Sequence, residues 1–104
     1  MAKIEVVLKK EDESPSPGAY ELLLRSLGVC TAVTLRMYAD RKQWNLEDVQ
    51  VTLEHFKEET GDRIERKLAF TGNLTEEQTA RLKEIAAKCP LHKTLSRGVM
   101  IIDS

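Results

Sequence analysis

Neither sign of charge dominates this sequence: 16 lysines and arginines stand against 17 aspartates and glutamates, a formal net charge of −1. A nucleic-acid-binding domain normally carries a basic excess on some face, and no run of basic residues substitutes for it here. Met1–Glu5 lack the charged-then-apolar layout of a secretory signal, which leads to the expectation of a cytoplasmic chain. No long uncharged run is present either, because Arg25 and Arg36 interrupt the most apolar stretch and argue against a membrane span. Internal repeats and low-complexity tracts are absent. Cysteine is scarce, with only Cys30 and Cys89. In a reducing compartment such a pair is not expected to serve as a structural staple, which leaves catalysis, metal binding or plain packing.

What is present fits one domain: 104 residues are enough for one core and too few for two. Residues 3–9 are rich in β-branched side chains and read as a strand. Residues 11–18 are polar and punctuated by proline and glycine, hence a loop. Residues 48–57 alternate, with Val49, Val51, Leu53 and His55 on one face. Residues 64–71 alternate too, Ile64, Arg66, Leu68 and Phe70 opposing Glu65, Lys67 and Ala69. A loop over 58–62 joins them as an antiparallel hairpin. Thr75 and Gln78 form a capping box for a helix whose stripe is Leu82, Ile85, Ala86 and Cys89, and which Pro90 stops. Residues 99–102 read as a last strand, completing an α+β order.

Between Ala19 and Lys42 there is no proline and one glycine, Gly28. Good helix formers over that span predict a helix about 36 Å long. Its apolar residues cover most of its circumference and require burial on several sides. A compact chain of this length has a diameter of roughly 33 Å. One sheet and one further helix can hardly cover such a rod, so a partner chain is expected, as an obligate homodimer.

Chemistry would rest on the cysteines. Cys30 has small neighbours, Gly28 and Thr31, which permit close approach of another backbone or of a ligand; Cys89 has His92 three residues on. A reactive thiolate needs nearby positive charge, and Arg25, Arg36, Lys88 and His92 are the candidates nearest in sequence. The competing reading is a small buried hydrophobe, which the stripe position of Cys89 suits. Cys89 and His92 also have ligand spacing, with Cys30 and His55 available to complete a zinc set. Structural zinc sites bring two short pairs, however, and only one exists. His55, on the apolar phase of its strand, reads as a hydrogen-bonded core histidine.

Residues 20–42, YELLLRSLGVCTAVTLRMYADRK, and 87–96, AKCPLHKTLS, closely resemble the OsmC/Ohr family of osmotically inducible and organic hydroperoxide resistance proteins. With the hairpin between them, the resemblance covers about residues 14–104. It implies an OsmC-like α+β domain, an antiparallel sheet packed on a long buried central helix, in an intertwined homodimer. It also implies a thiol peroxidase without cofactor or metal, acting on lipid-like or other organic hydroperoxides. By position, Cys30 would attack the peroxide and become a sulfenic acid. Cys89 would then resolve it to a disulfide that an external dithiol reduces. No nucleic acid or membrane partner is implied.

The family's peroxidases lower the thiol pKa with an arginine from an amino-terminal sheet, held by a glutamate just after the proline before the long helix. Residues 1–17 contain no arginine, and Glu21 is displaced from Pro17. The single domain over 1–104 is therefore expected to be shortened at its amino terminus. Either another cation acts on Cys30, or the protein is a slow peroxidase, or it does something else. The alternatives are a non-catalytic dimer binding a small apolar ligand and an oxidation sensor.

Overall fold

The computed structural model describes residues 3–8 and 18–104. The loop expected over 11–18 falls, but for Gly18, outside them. In chain order the elements are β1 (Lys3–Leu8), α1 (Ala19–Lys42), β2 (Asn45–Glu58), β3 (Gly61–Asn73), α2 (Glu76–Ala86) and α3 (Pro90–Arg97).

α1 spans the expected residues. Leu24, Leu27, Thr31, Leu35 and Ala39 recur every three or four positions, placing one buried face against β2, and the small residues Gly28 and Ala32 are buried with them. Arg36 fastens its carboxyl-terminal half, pairing with Asp40 and donating to the Leu46 carbonyl at 2.6 Å. In the single chain α1 is buried along that face only. Leu22, Val29, Val33 and Met37 on the opposite side remain exposed, so the expected all-round burial is not met within one chain. The radius of gyration, 15.1 Å, exceeds the roughly 13 Å of a compact chain this long, and the molecule extends 45 Å along its longest axis. By length and hydropathy α1 could cross a membrane, a test that buried core helices also pass.

The sheet order is β1-β2-β3. β2 and β3 pair antiparallel, as the alternating patterns predict, but β1 pairs parallel with β2, Ile4 opposite Val49. The sheet is therefore mixed rather than antiparallel. The reason is connectivity: α1 lies between β1 and β2, and a crossover helix returns the chain to run in the same direction. The hairpin strands are longer and their connection tighter than the sequence suggested, with Glu58 paired directly to Gly61. Gly61, at φ +135°, takes a conformation side chains rarely adopt. Arg63 packs over the Phe56 ring and pairs with Glu58 and Glu65, holding the strand ends together.

Val49, Val51 and Leu53 of β2 are fully buried and, with Leu35 of α1 and Leu82 of α2, make the centre of the core. Each such aliphatic side chain contributes about 1.5–3 kcal/mol by leaving water. The Thr75 capping box forms as expected. The helix it starts ends at Ala86, however, not at Cys89. Pro90, expected only to stop a helix, begins the next one, because its fixed φ and missing N–H suit a first helical position. The Leu82–Cys89 stripe is nonetheless buried throughout. Residues 98–104 form no strand; Val99, Met100, Ile101 and Ile102 lie exposed beyond Gly98.

Candidate functional site

The turn between α2 and α3 determines where Cys89 points. Its N–H bonds to Ala86 at 3.3 Å and its carbonyl accepts from Lys93 at 3.1 Å, so Cys89 caps α3 while its side chain stays in the core. There it meets α1. The Cys89 thiol donates to Cys30 across 2.6 Å between sulfurs, about half an ångström beyond the length of a disulfide bond. Both cysteines are free. Cys89 is fully buried and Cys30 only partly so. A solute therefore reaches Cys30 before Cys89.

Burial pushes the Cys30 thiol above its ordinary value, and the adjacent Cys89 adds to the rise. The backbone of Leu91 and the hydroxyl of Thr34 pull against it through hydrogen bonds. Leu91 is the second residue of α3, so this donor is one of the N–H groups that a helix start leaves unpaired.

Arg66 of β3 stands beside the pair. Its Nη1 donates to Thr31 Oγ1 at 2.9 Å, and Thr31, fully buried, passes the bond on to the Leu27 carbonyl at 2.7 Å. Burial lowers the Arg66 pKa, and interaction with Cys89 and Cys30 works in the opposite direction. Arg66 also opens onto a cleft of about 660 Å³. Leu23, Leu27, Ile64 and Leu95 give the cleft apolar walls, and His92 of α3 joins Arg66 in its lining. Burial and the Arg66 charge keep the His92 pKa below its usual value, so the imidazole is held neutral.

Cys30 and Cys89 are thus brought together, and His92 is drawn into the adjoining cleft. Of the other cations nearest in sequence, Arg25 and Lys88 are exposed and Arg36 is engaged by Asp40 and Leu46. Glu21 is partly buried at the start of α1. His55 is a core histidine, 3.1 Å from Asp62 and stacked on Tyr20 with ring centroids 4.4 Å apart. Among the described residues no histidine, cysteine and carboxylate side chains gather into a metal-binding set. Arg66 is the residue that reasoning from sequence missed. A signal for it existed: it is the charge on the inward phase of β3, between Ile64 and Leu68, where an arginine requires a partner.

The sequence matches the OsmC-like protein family over residues 10–102. No curated protein matches it. Among solved structures, the fold resembles a crystal structure from Psychrobacter arcticus 273-4, of a protein described as an osmotic stress induced and detoxification response protein. The TM-score is 0.65 at 15% identity, covering 78% of this chain and 61% of that one. The chain thus spans less than two thirds of that protein's length, and the likeness is one of fold.

Proposed function

Because the chain belongs to the OsmC-like protein family, we propose that it is a thiol-dependent peroxidase that detoxifies organic hydroperoxides through Cys30 and Cys89. The observation that carries this reading is the 2.6 Å approach of two free thiols, one accessible and one buried. In the first step the Cys30 thiolate attacks the outer peroxide oxygen. An S–O bond forms, the O–O bond breaks with its electrons on the inner oxygen, and that oxygen takes a proton and leaves as the alcohol. Cys89 then attacks the sulfenic sulfur; an S–S bond forms and the hydroxyl departs as water after protonation. An external dithiol returns the two electrons by thiol–disulfide exchange.

The likeness to a stress and detoxification response protein is consistent with that role. The apolar walls of the cleft suit the organic part of a lipid-like peroxide. A homodimer completes the reading. Leu22, Val29, Val33 and Met37 form an uncovered stripe along α1, and the exposed segment Val99–Ile102 adds apolar surface that a second copy would bury. A cytoplasmic location, where dithiol reductants are available, belongs to the same proposal.

The test is a free-thiol count on the reduced protein before and after one equivalent of cumene hydroperoxide, alongside Cys30→Ser and Cys89→Ser. The proposal expects both thiols to be lost to an intramolecular disulfide in the wild type and in neither variant. Survival of both thiols overturns it. It would favour a non-catalytic dimer holding a small apolar ligand in the cleft, a reading that the raised Cys30 thiol also suits.

A further inference from the structure

We propose that Arg66, delivered from β3, is the cation that stabilises the thiolate of the cysteine pair, positioned for that task by its hydrogen bond to Thr31 next to Cys30. The inference deepens the peroxidase reading and rests on it for its biological meaning, though its test needs no peroxide.

The first support is placement. Arg66 bonds at 2.9 Å to the residue that follows Cys30, across 35 positions of sequence. A guanidinium carries five donors in a rigid fork. Thr31 takes one, and the rest remain for the sulfurs and for whatever enters the cleft that Arg66 helps to line.

The second support is the charge balance of a half-buried cation. An arginine taken from water is costly unless an anion or a set of acceptors compensates it. Among the described residues no carboxylate pairs with Arg66; the carboxylates near the hairpin end are engaged by Arg63 and His55. The thiols of Cys89 and Cys30 are the acidic groups that interact with it electrostatically. Such coupling is reciprocal: the free energy by which a thiolate favours the guanidinium is the free energy by which the guanidinium favours the thiolate. Arginine stays protonated throughout, so the whole effect appears in the cysteines' titration.

The remaining ionisable groups leave this part to Arg66. On α3, His92 faces the same cleft, but neutral, and Cys89 is the pair's other member. On β2, His55 is bonded to Asp62 of β3, which also lines the cleft. On α1 the groups beside Cys30 are the hydroxyls of Thr31 and Thr34. On α2 and its following turn, Lys83 and Lys88 are exposed. Leu91 supplies a backbone donor, which helps but carries no full charge.

The experiment measures iodoacetamide alkylation of Cys30 against pH in full-length Cys89→Ser protein, with Arg66, Arg66→Gln or Arg66→Lys, each checked for folding by circular dichroism. An opposite charge at short range shifts an acid by about one unit or more. Arg66→Gln is therefore expected to raise the alkylation midpoint by about one pH unit and to slow alkylation at pH 7 about tenfold. Arg66→Lys should recover most of both. A midpoint unchanged by Arg66→Gln, or raised as far by Arg66→Lys, overturns the proposal, since a purely structural role would not follow charge. Should the neutral variant fail to fold, the side-chain Nε resonance of Arg66 in the otherwise wild-type chain is followed instead. It must shift as Cys30 ionises and stop doing so in Cys30→Ser; no shift overturns the proposal. Peroxide reduction can fail while these results hold, which separates this inference from the peroxidase reading.

Discussion

Arg66 Nη1 lies 2.9 Å from Thr31 Oγ1, and this bond joins the outer strand of the hairpin to the turn of α1 that carries Cys30. Thr31 is fully buried and its hydroxyl also donates to Leu27. Thr31→Val keeps the shape and leaves the Arg66 donor facing a methyl group. Leaving a buried polar partner unpaired costs about 1–3 kcal/mol. An unfolding free energy from urea denaturation lowered to that extent is expected, and an unchanged one would mean that the bond does not hold in solution.

Oxidation should stabilise the protein. A disulfide between Cys30 and Cys89 would close a loop across 59 positions. Chain-entropy reasoning assigns such a loop about 4 kcal/mol at most, by restricting the unfolded state. Calorimetry of the oxidised and reduced forms should therefore give a higher melting temperature for the oxidised one. A lower value would mean that the native fold must distort to bring the sulfurs into bonding geometry.

The reduced protein should weaken in alkali through Cys30. Burial first, then Cys89, hold this thiol above its ordinary value of 9.0, so the folded state keeps the proton when the unfolded chain has lost it. Stability from this source is fully present below that ordinary value and is lost as pH rises through the raised folded value. Denaturant midpoints of the reduced wild type should fall more between pH 8 and 11 than those of Cys30→Ser. Equal slopes would remove Cys30 as the cause.

Gly72 is expected to tolerate no side chain. Its φ is +142°, and a Cβ there would be driven into the backbone carbonyl of Asn45 and toward the Glu47 amide. Gly72→Ala should cost about 2 kcal/mol or more, combining backbone strain with displacement of the strand end. A variant as stable as the wild type would place this end of the hairpin differently.

The proposed dimer has its own test. Val33 and Met37 lie in the middle of the exposed α1 stripe, away from the core face. A charge there would be buried in a dimer and solvated in a monomer. Sedimentation velocity should find the wild type dimeric and a Val33→Glu, Met37→Lys double variant monomeric with unchanged circular dichroism. A monomeric wild type would exclude the proposed assembly.

Much of the fold was legible in the residues. The bounds of α1, the inward and outward faces of both hairpin strands and the Thr75 cap all follow from local periodicity and local hydrogen bonding. The errors share a cause. Pro90 is a stop signal by local reading, yet α2 already ends at Ala86 and Pro90 opens α3, where its missing N–H costs nothing. The direction of β1 relative to β2, and the exposed path of Val99–Ile102, depend on what lies alongside in space.

The candidate site divides the same way. Cys30 and Cys89 stand out by residue type and motif, and Cys30 lies in the expected helix, whereas Cys89, expected at the end of α2, caps α3. Arg66 was visible as a charge on an apolar strand phase, but its task was not. The residues alone set the span of α1, the hairpin with its two faces and the start of α2, because those depend on neighbours a few positions apart; they did not set α3 or the non-strand path of residues 98–104. That two thiols meet, and that the cation beside them comes from β3, follows from packing in three dimensions. Those relations join residues 35 and 59 positions apart, across which local periodicity carries no information.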